Sequence, residues 1–147
     1  MLTEIFQTIN DQIFSYLESK SVKTKNLRML TGPSGKKKKG KIIRLELLRF
    51  GQSKNSLHGS PSDKLFYAFT FFITATAPYY SECLELTEHL CDHFEKKPFI
   101  QVKIKEKEYE VAISPMELTI DELNQFWLAQ NHSQQPILFY QARISEV

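Results

Sequence analysis

Apolar and polar positions alternate along this chain with two different periods, and the most distinctive stretch lies near the middle. Phe66 to Thr76 reads FYAFTFFITAT, aromatic, β-branched and small residues with no charge, the pattern of a strand covered on both faces at the centre of a sheet. Pro78 breaks the chain, and a helix is predicted over 79 to 95. Cys83, Thr87, Leu90 and Phe94 share its buried face, flanked by Leu84, Leu86 and Cys91; Glu85, Glu88, His89, Asp92 and His93 lie on the face turned away.

The rest of the chain divides by the same signals. Leu2, Ile5, Phe6, Ile9, Ile13 and Leu17 recur at helical spacing and predict an amphipathic helix over 2 to 19. Ser21 to Leu30 suits a short extended piece, and Lys41 to Phe50 suits a strand with Ile43, Leu45 and Leu47 buried. Ile100, Val102 and Ile104, then Tyr109, Val111 and Ile113, alternate with lysines and glutamates, the mark of a half-exposed hairpin. Thr119 with Glu122 forms a capping box, and Leu118 can staple to Leu123, so a helix over 120 to 130 should bury Leu123 and Trp127. Pro136 opens a last strand, Ile137 to Ile144. The fold class that follows is α/β or α+β: a single domain over 1–147, with about three helices and a mixed, mostly antiparallel sheet of five or six strands.

Composition narrows this picture little. The 147 residues are 41% hydrophobic and 24% charged, ordinary for a globular domain, and no membrane span is expected. The N-terminus lacks the succession of a secretory signal, so synthesis in the cytoplasm is expected. Cys83 and Cys91 stand about 12 Å apart along one helix and cannot pair with each other; they read as small core residues.

Charge distribution changes the picture more than the net +2 suggests. No acid occurs between Ser19 and Leu45, which hold ten bases, including Lys36, Lys37, Lys38, Lys39 and Lys41 of a glycine-marked basic loop over 32–41. From Glu82 to Glu122 acids outnumber bases eleven to five. Such segregation steers an acidic partner or orients neighbouring copies. A second polar loop spans 51–63.

Catalytic chemistry finds no foothold. Gly35, four lysines, Gly40 and Lys41 imitate a phosphate-binding loop, but Ile42 replaces the magnesium-binding hydroxyl and a strand replaces the helix. His89 and His93, four apart, lack the glutamate and third ligand of a zinc helix. No glycine follows Gly59 and no nucleophile elbow occurs. The reading is a non-enzyme without cofactor or metal. A single-stranded nucleic-acid module is the alternative; it would need Tyr67, Phe69 or Phe71 exposed beside the lysine loop, and the charge-free strand argues against it.

The order of features from Phe69 to Ile144, FTFFITAT, YYSECLELTEHLCDHFEKKPF, LTIDELNQFWLAQ and QPILFYQARI, resembles the tail-terminator or cap proteins of phage-tail-like contractile injection systems. The matching positions are Tyr80, Glu82, Leu84, Leu90, Phe94, Leu118, Glu122, Leu123, Trp127, Pro136, Tyr140 and Arg143. Leu48-Arg49-Phe50-Gly51 replaces a usual acidic stretch, and a usual glycine after the helix tryptophan is missing. The resemblance implies a structural role: a ring, a hexamer of this chain, that closes the tube and sheath at the end distal to the baseplate. Its partners would be sheath, tube and other copies, not membrane. The expected interface residues are Lys36, Lys37, Lys38, Lys39 and Lys41 as a basic contact, Glu85, Glu88, His89 and Asp92 as an opposing face, and Tyr140 and Arg143 near a sheet edge.

Overall fold

In the computed structural model, three helices and a six-stranded sheet follow one another as α1 (Leu2–Ser19), β1 (Leu27–Thr31), β2 (Lys41–Lys54), β3 (Leu65–Thr76), α2 (Tyr80–Lys96), β4 (Phe99–Ile104), β5 (Lys107–Pro115), α3 (Ile120–Gln130) and β6 (Ile137–Glu146). The structure describes residues 1–20, 22, 27–32, 40–54, 65–130 and 136–147, without the side chains of 52–54, 65–66 and 127–130. The expected lysine run at 36–39, the basic loop's interior and most of the polar loop therefore lie outside the described residues.

The strand order is β1-β2-β3-β6-β5-β4. β1 runs parallel to β2 and every other neighbouring pair is antiparallel, the mixed sheet that the sequence pattern predicts. β3 is flanked by β2 and β6 and covered on both faces. Phe69, Phe71, Ile73 and Ala75 turn to one side and Phe72 to the other, all at most 2% exposed. Each such large side chain contributes roughly 1.5–3 kcal/mol by leaving water.

The helices α1 and α2 cover the first face. Ile5, Ile9, Ile13 and Leu17, at i, i+4, i+8 and i+12, are fully buried, and Phe6 packs its ring 5.5 Å from Phe69 and 5.9 Å from Phe71. α1 contacts both β1 and β4, which are the two edge strands, so the sheet curls around it. α2 lays Leu86, Leu90 and Phe94 on the same core. α3 covers part of the other face through Phe126, whose ring meets Phe72 at 5.0 Å and Phe139 at 5.2 Å.

Local chemistry explains the ends of these elements. The Thr119 hydroxyl accepts from the Glu122 N–H at 3.2 Å, and the Glu122 carboxylate faces the Thr119 N–H at 3.4 Å, the reciprocal box that the sequence signals. In the β4–β5 hairpin Lys103 pairs with Glu108 and Gln101 with Glu110 on the wet face.

Four expectations are corrected. The pairing of β2 with β3 shifts between Leu47 and Arg49, a bulge at Leu48 that reverses which residues face the helices. Leu47, paired with Phe71 ahead of that shift, is 40% exposed instead of buried, and β2 continues to Lys54 into the segment read as a loop. His93 is turned inward, 2% exposed, because the buried stripe of α2 runs through Cys83, Leu86, Leu90, His93 and Phe94. Cys91 is exposed while Cys83 is buried, and both are free. Phe126 plugs α3 onto the sheet, with Leu123 half-buried and the Trp127 side chain outside the described residues.

Candidate assembly surfaces

The acidic face of α2 forms as its spacing requires. Glu85, Glu88 and Asp92 are exposed and His89 is half-buried, its Nε2 4.0 Å from Glu85 Oε1. Residues three and four apart share a helix face, so the three carboxylates make one continuous acidic stripe. Beside it stand the exposed side chains of Tyr79, Tyr80 and Leu84. An amphipathic outer surface on a helix already anchored by its inner face suits contact with another protein better than free hydration.

His93, one turn beyond His89, has a different fate. Its ring lies 5.1 Å from Tyr16 of α1 and 5.0 Å from Phe94. Burial, with a smaller push from the Lys97 charge, lowers its pKa to about 4, so the imidazole is neutral at neutral pH.

Lys41 does not stand free. Its Nζ is 3.1 Å from Glu82 Oε2 in the first turn of α2, where a carboxylate also complements the helix dipole. The four preceding lysines are not described, and only Lys41 of the expected basic contact can be placed.

Tyr140 and Arg143 lie on β6, which sits between β3 and β5 in the interior of the sheet. The expectation that they mark an edge is therefore corrected. Tyr140 is 4% exposed, with ring contacts to Phe94 at 4.5 Å and Phe71 at 5.7 Å, and burial raises its pKa well above the ordinary phenol. It is a core residue. Arg143 faces the opposite side of the sheet and is exposed. Ala68 and Ala112 flank it on β3 and β5, so small neighbours leave the guanidinium standing over an open sheet face.

Among the described residues, three stretches of strand lack a neighbour on one side: β1, β4, and β2 beyond Leu45, where β1 ends. The outer half of β2 also carries apolar surface. Leu47, Leu48 and Phe50 are 38–45% exposed, and Phe50 stacks on Tyr67 at 5.6 Å. Composition could not single these out: the bulge sets Phe50 opposite Phe69, on the face that Leu47 shares with Phe71.

The aromatic platform of a nucleic-acid module is not formed. Phe69 and Phe71 are at most 1% exposed, and the half-buried Tyr67 is engaged by Phe50. Among the described residues no group of three His, Cys, Asp or Glu side chains could hold a metal ion, and no helix is long and apolar enough to cross a membrane.

No protein-family model matches the chain, and no curated protein matches it in sequence. Solved structures do match in fold. The sheath/tube terminator of PVC, an extracellular contractile injection system, in its extended state superposes with a TM-score of 0.66 at 10% identity, over all of this chain and 57% of that one. The tube-terminating cap of the anti-feeding prophage AFP superposes with a TM-score of 0.60 at 9% identity, over all of this chain and 55% of the cap. The chain thus spans little more than half the length of either structure. The six-stranded mixed sheet curled around α1, with α2 on the same face and α3 on the other, thus has a fold similar to those of these two terminator structures.

Proposed function

We propose that the protein is a structural, non-enzymatic terminator of a contractile injection system. Copies of it, six in number, form a ring that closes the tube and sheath at the end distal to the baseplate and anchors the sheath there. It is made in the cytoplasm and ends in the assembled particle. The observation that carries this reading is the fold match of the entire chain to a sheath/tube terminator.

The surfaces supply a physical route. An open strand edge can accept an extended segment of a sheath subunit through main-chain hydrogen bonds, which do not depend on side-chain identity. The acidic stripe of Glu85, Glu88 and Asp92, with His89 beside it, meets a basic surface on the next copy. Lys36 to Lys39 and Arg143 supply the positive charge, and Lys41 contributes through its tie to Glu82. A contact between two different faces of one chain closes into a ring when the rotation allows. Complementary charge then fixes its register.

Electron microscopy of particles assembled with and without this protein tests the role. Loss of a defined tube length and of sheath attachment at the end distal to the baseplate is expected when it is missing. Particles of unchanged length with intact sheaths would overturn it.

A further inference from the structure

Among the described residues, α3 is the one helix on the second face of the sheet, where Phe126 covers Phe72 and Phe139. The register shows what the rest of that face carries. Gly51, Ala68, Arg143, Ala112 and Phe99 stand side by side in one row across β2, β3, β6, β5 and β4, and Arg49 stands one step away, opposite Thr70. Arg49, Gly51, Arg143 and Phe99 are exposed, Phe99 by 62%. Gly51, Ala68 and Ala112 have at most a methyl side chain, so another element can approach the backbone closely there. Glu46 and Glu110 share this face but are half-buried, and the two arginines dominate the charge it shows.

The acidic stripe of α2 has a matching span. Arg49 and Arg143 lie two strands and two residues apart, about 12 Å between Cα atoms at ordinary sheet spacing. Glu85 and Asp92 are separated by two turns of α2, about 10 Å along the helix axis, with Glu88 between them. The apolar flanks agree in order as well. Tyr80 and Leu84, 64% and 43% exposed, precede Glu85, and Ala112 and Phe99 lie beyond Arg143 on the side away from Arg49. One copy cannot bring these two surfaces together, because α2 lies on the first face of its own sheet and the arginines on the second. A second copy can offer the complement.

We propose that α2 of one copy lies across the open second face of the next copy's sheet. Glu85 meets Arg143, Asp92 meets Arg49, and Tyr80 and Leu84 rest on Ala112 and Phe99. The two faces are different, so the contact is head-to-tail and repeats from copy to copy until it closes. The opposed charges select the register, and the apolar flank excludes water from them. This contact rests on the ring reading above and deepens it by naming the two faces that meet and adding Arg49 to the receiving one.

Two neutralising variants of the full chain separate the faces. One carries Glu85→Gln, Glu88→Gln and Asp92→Asn; the other carries Arg49→Gln and Arg143→Gln. All five positions are exposed, so the circular dichroism spectrum of each should match that of the unaltered chain. In analytical ultracentrifugation at low salt the unaltered chain should self-associate, and each variant alone should do so about tenfold more weakly or less. Mixed together, the variants should form a one-to-one pair that grows no further, because each keeps the face that the other has lost. Association that either variant leaves unchanged, or a mixture no more associated than its components, would overturn the contact and leave the ring to other surfaces. An unaltered chain that stays monomeric would also overturn it, while the terminator role is read separately, from tube length and sheath attachment in the particles.

Discussion

Lys41 Nζ lies 3.1 Å from Glu82 Oε2, joining the first residue of β2 to the first turn of α2 across the top of the sheet. Both side chains are about a quarter exposed, so solvent and salt screen the pair, and its worth is about 0.5–1 kcal/mol. Lys41→Ala and Glu82→Gln should each lower stability by that amount, and a double-mutant cycle in chemical denaturation should show that the two losses do not add. Additive losses would mean that the pair is not formed in solution.

Buried His93 gives folding a dependence on pH. Its folded pKa, about 4, lies below the ordinary value of 6.5, so between those limits the unfolded chain binds the extra proton. Stability is therefore fully present above pH 6.5 and is lost as pH falls toward 4, by up to about 2–3 kcal/mol. The groups packed around the imidazole offer no anion to offset this: Tyr16 comes from α1, Lys97 repels, and Nδ1 is buried without a partner. His93→Leu should flatten the pH dependence of the urea midpoint between pH 4 and 6.5. An unchanged slope in that variant would assign the acid sensitivity to other groups.

The β4–β5 hairpin turns through Lys105 and Glu106, both with positive φ, at 48° and 70°. Two residues in the left-handed region are the signature of the tightest hairpin turn, where Asn-Gly is favoured and lysine and glutamate are not. Replacing both (Lys105→Asn with Glu106→Gly) should stabilise the protein by about 1 kcal/mol and raise its melting temperature by about 2–4 °C. A melting temperature that falls would show that the Lys105 or Glu106 side chain contributes more than the turn costs.

Most of the architecture was legible because it is written in local periods. The uncharged run through Phe71 could only be a covered strand, the alternation from Ile100 to Ile113 could only be a hairpin, and Thr119 with Glu122 marked a helix start to the residue. What failed depended on relations that no short window contains. The bulge at Leu48 adds one residue to one strand, and it reversed the facing of Arg49 and Phe50 without altering composition. His93 sits at the boundary of a helical stripe, where a rotation of a few tens of degrees decides between water and core. Sheet order is set by packing between distant segments, which is why Tyr140, read as an edge residue, is interior, and why the partner of Lys41 lies on another element.

The contact between Asn10 and Thr31 was invisible for the same reason. Asn10 falls on the buried side of α1 among Ile9 and Ile13 and reads there as one polar residue in an apolar stripe. Only the placement of the Thr31 hydroxyl 3.0 Å from its amide accounts for it.

The central claim, that copies of this chain close into a ring on the end of a contractile tail, is tested most directly by mass in solution. Light scattering coupled to gel filtration, on the protein alone and mixed with candidate sheath and tube proteins, reads it at once. The account predicts a species near six times the 17.2 kDa chain, alone or with those partners, and its loss when Glu85, Glu88 and Asp92 are all changed to lysine while the circular dichroism spectrum is unchanged. A strict monomer that ignores both partners would contradict it.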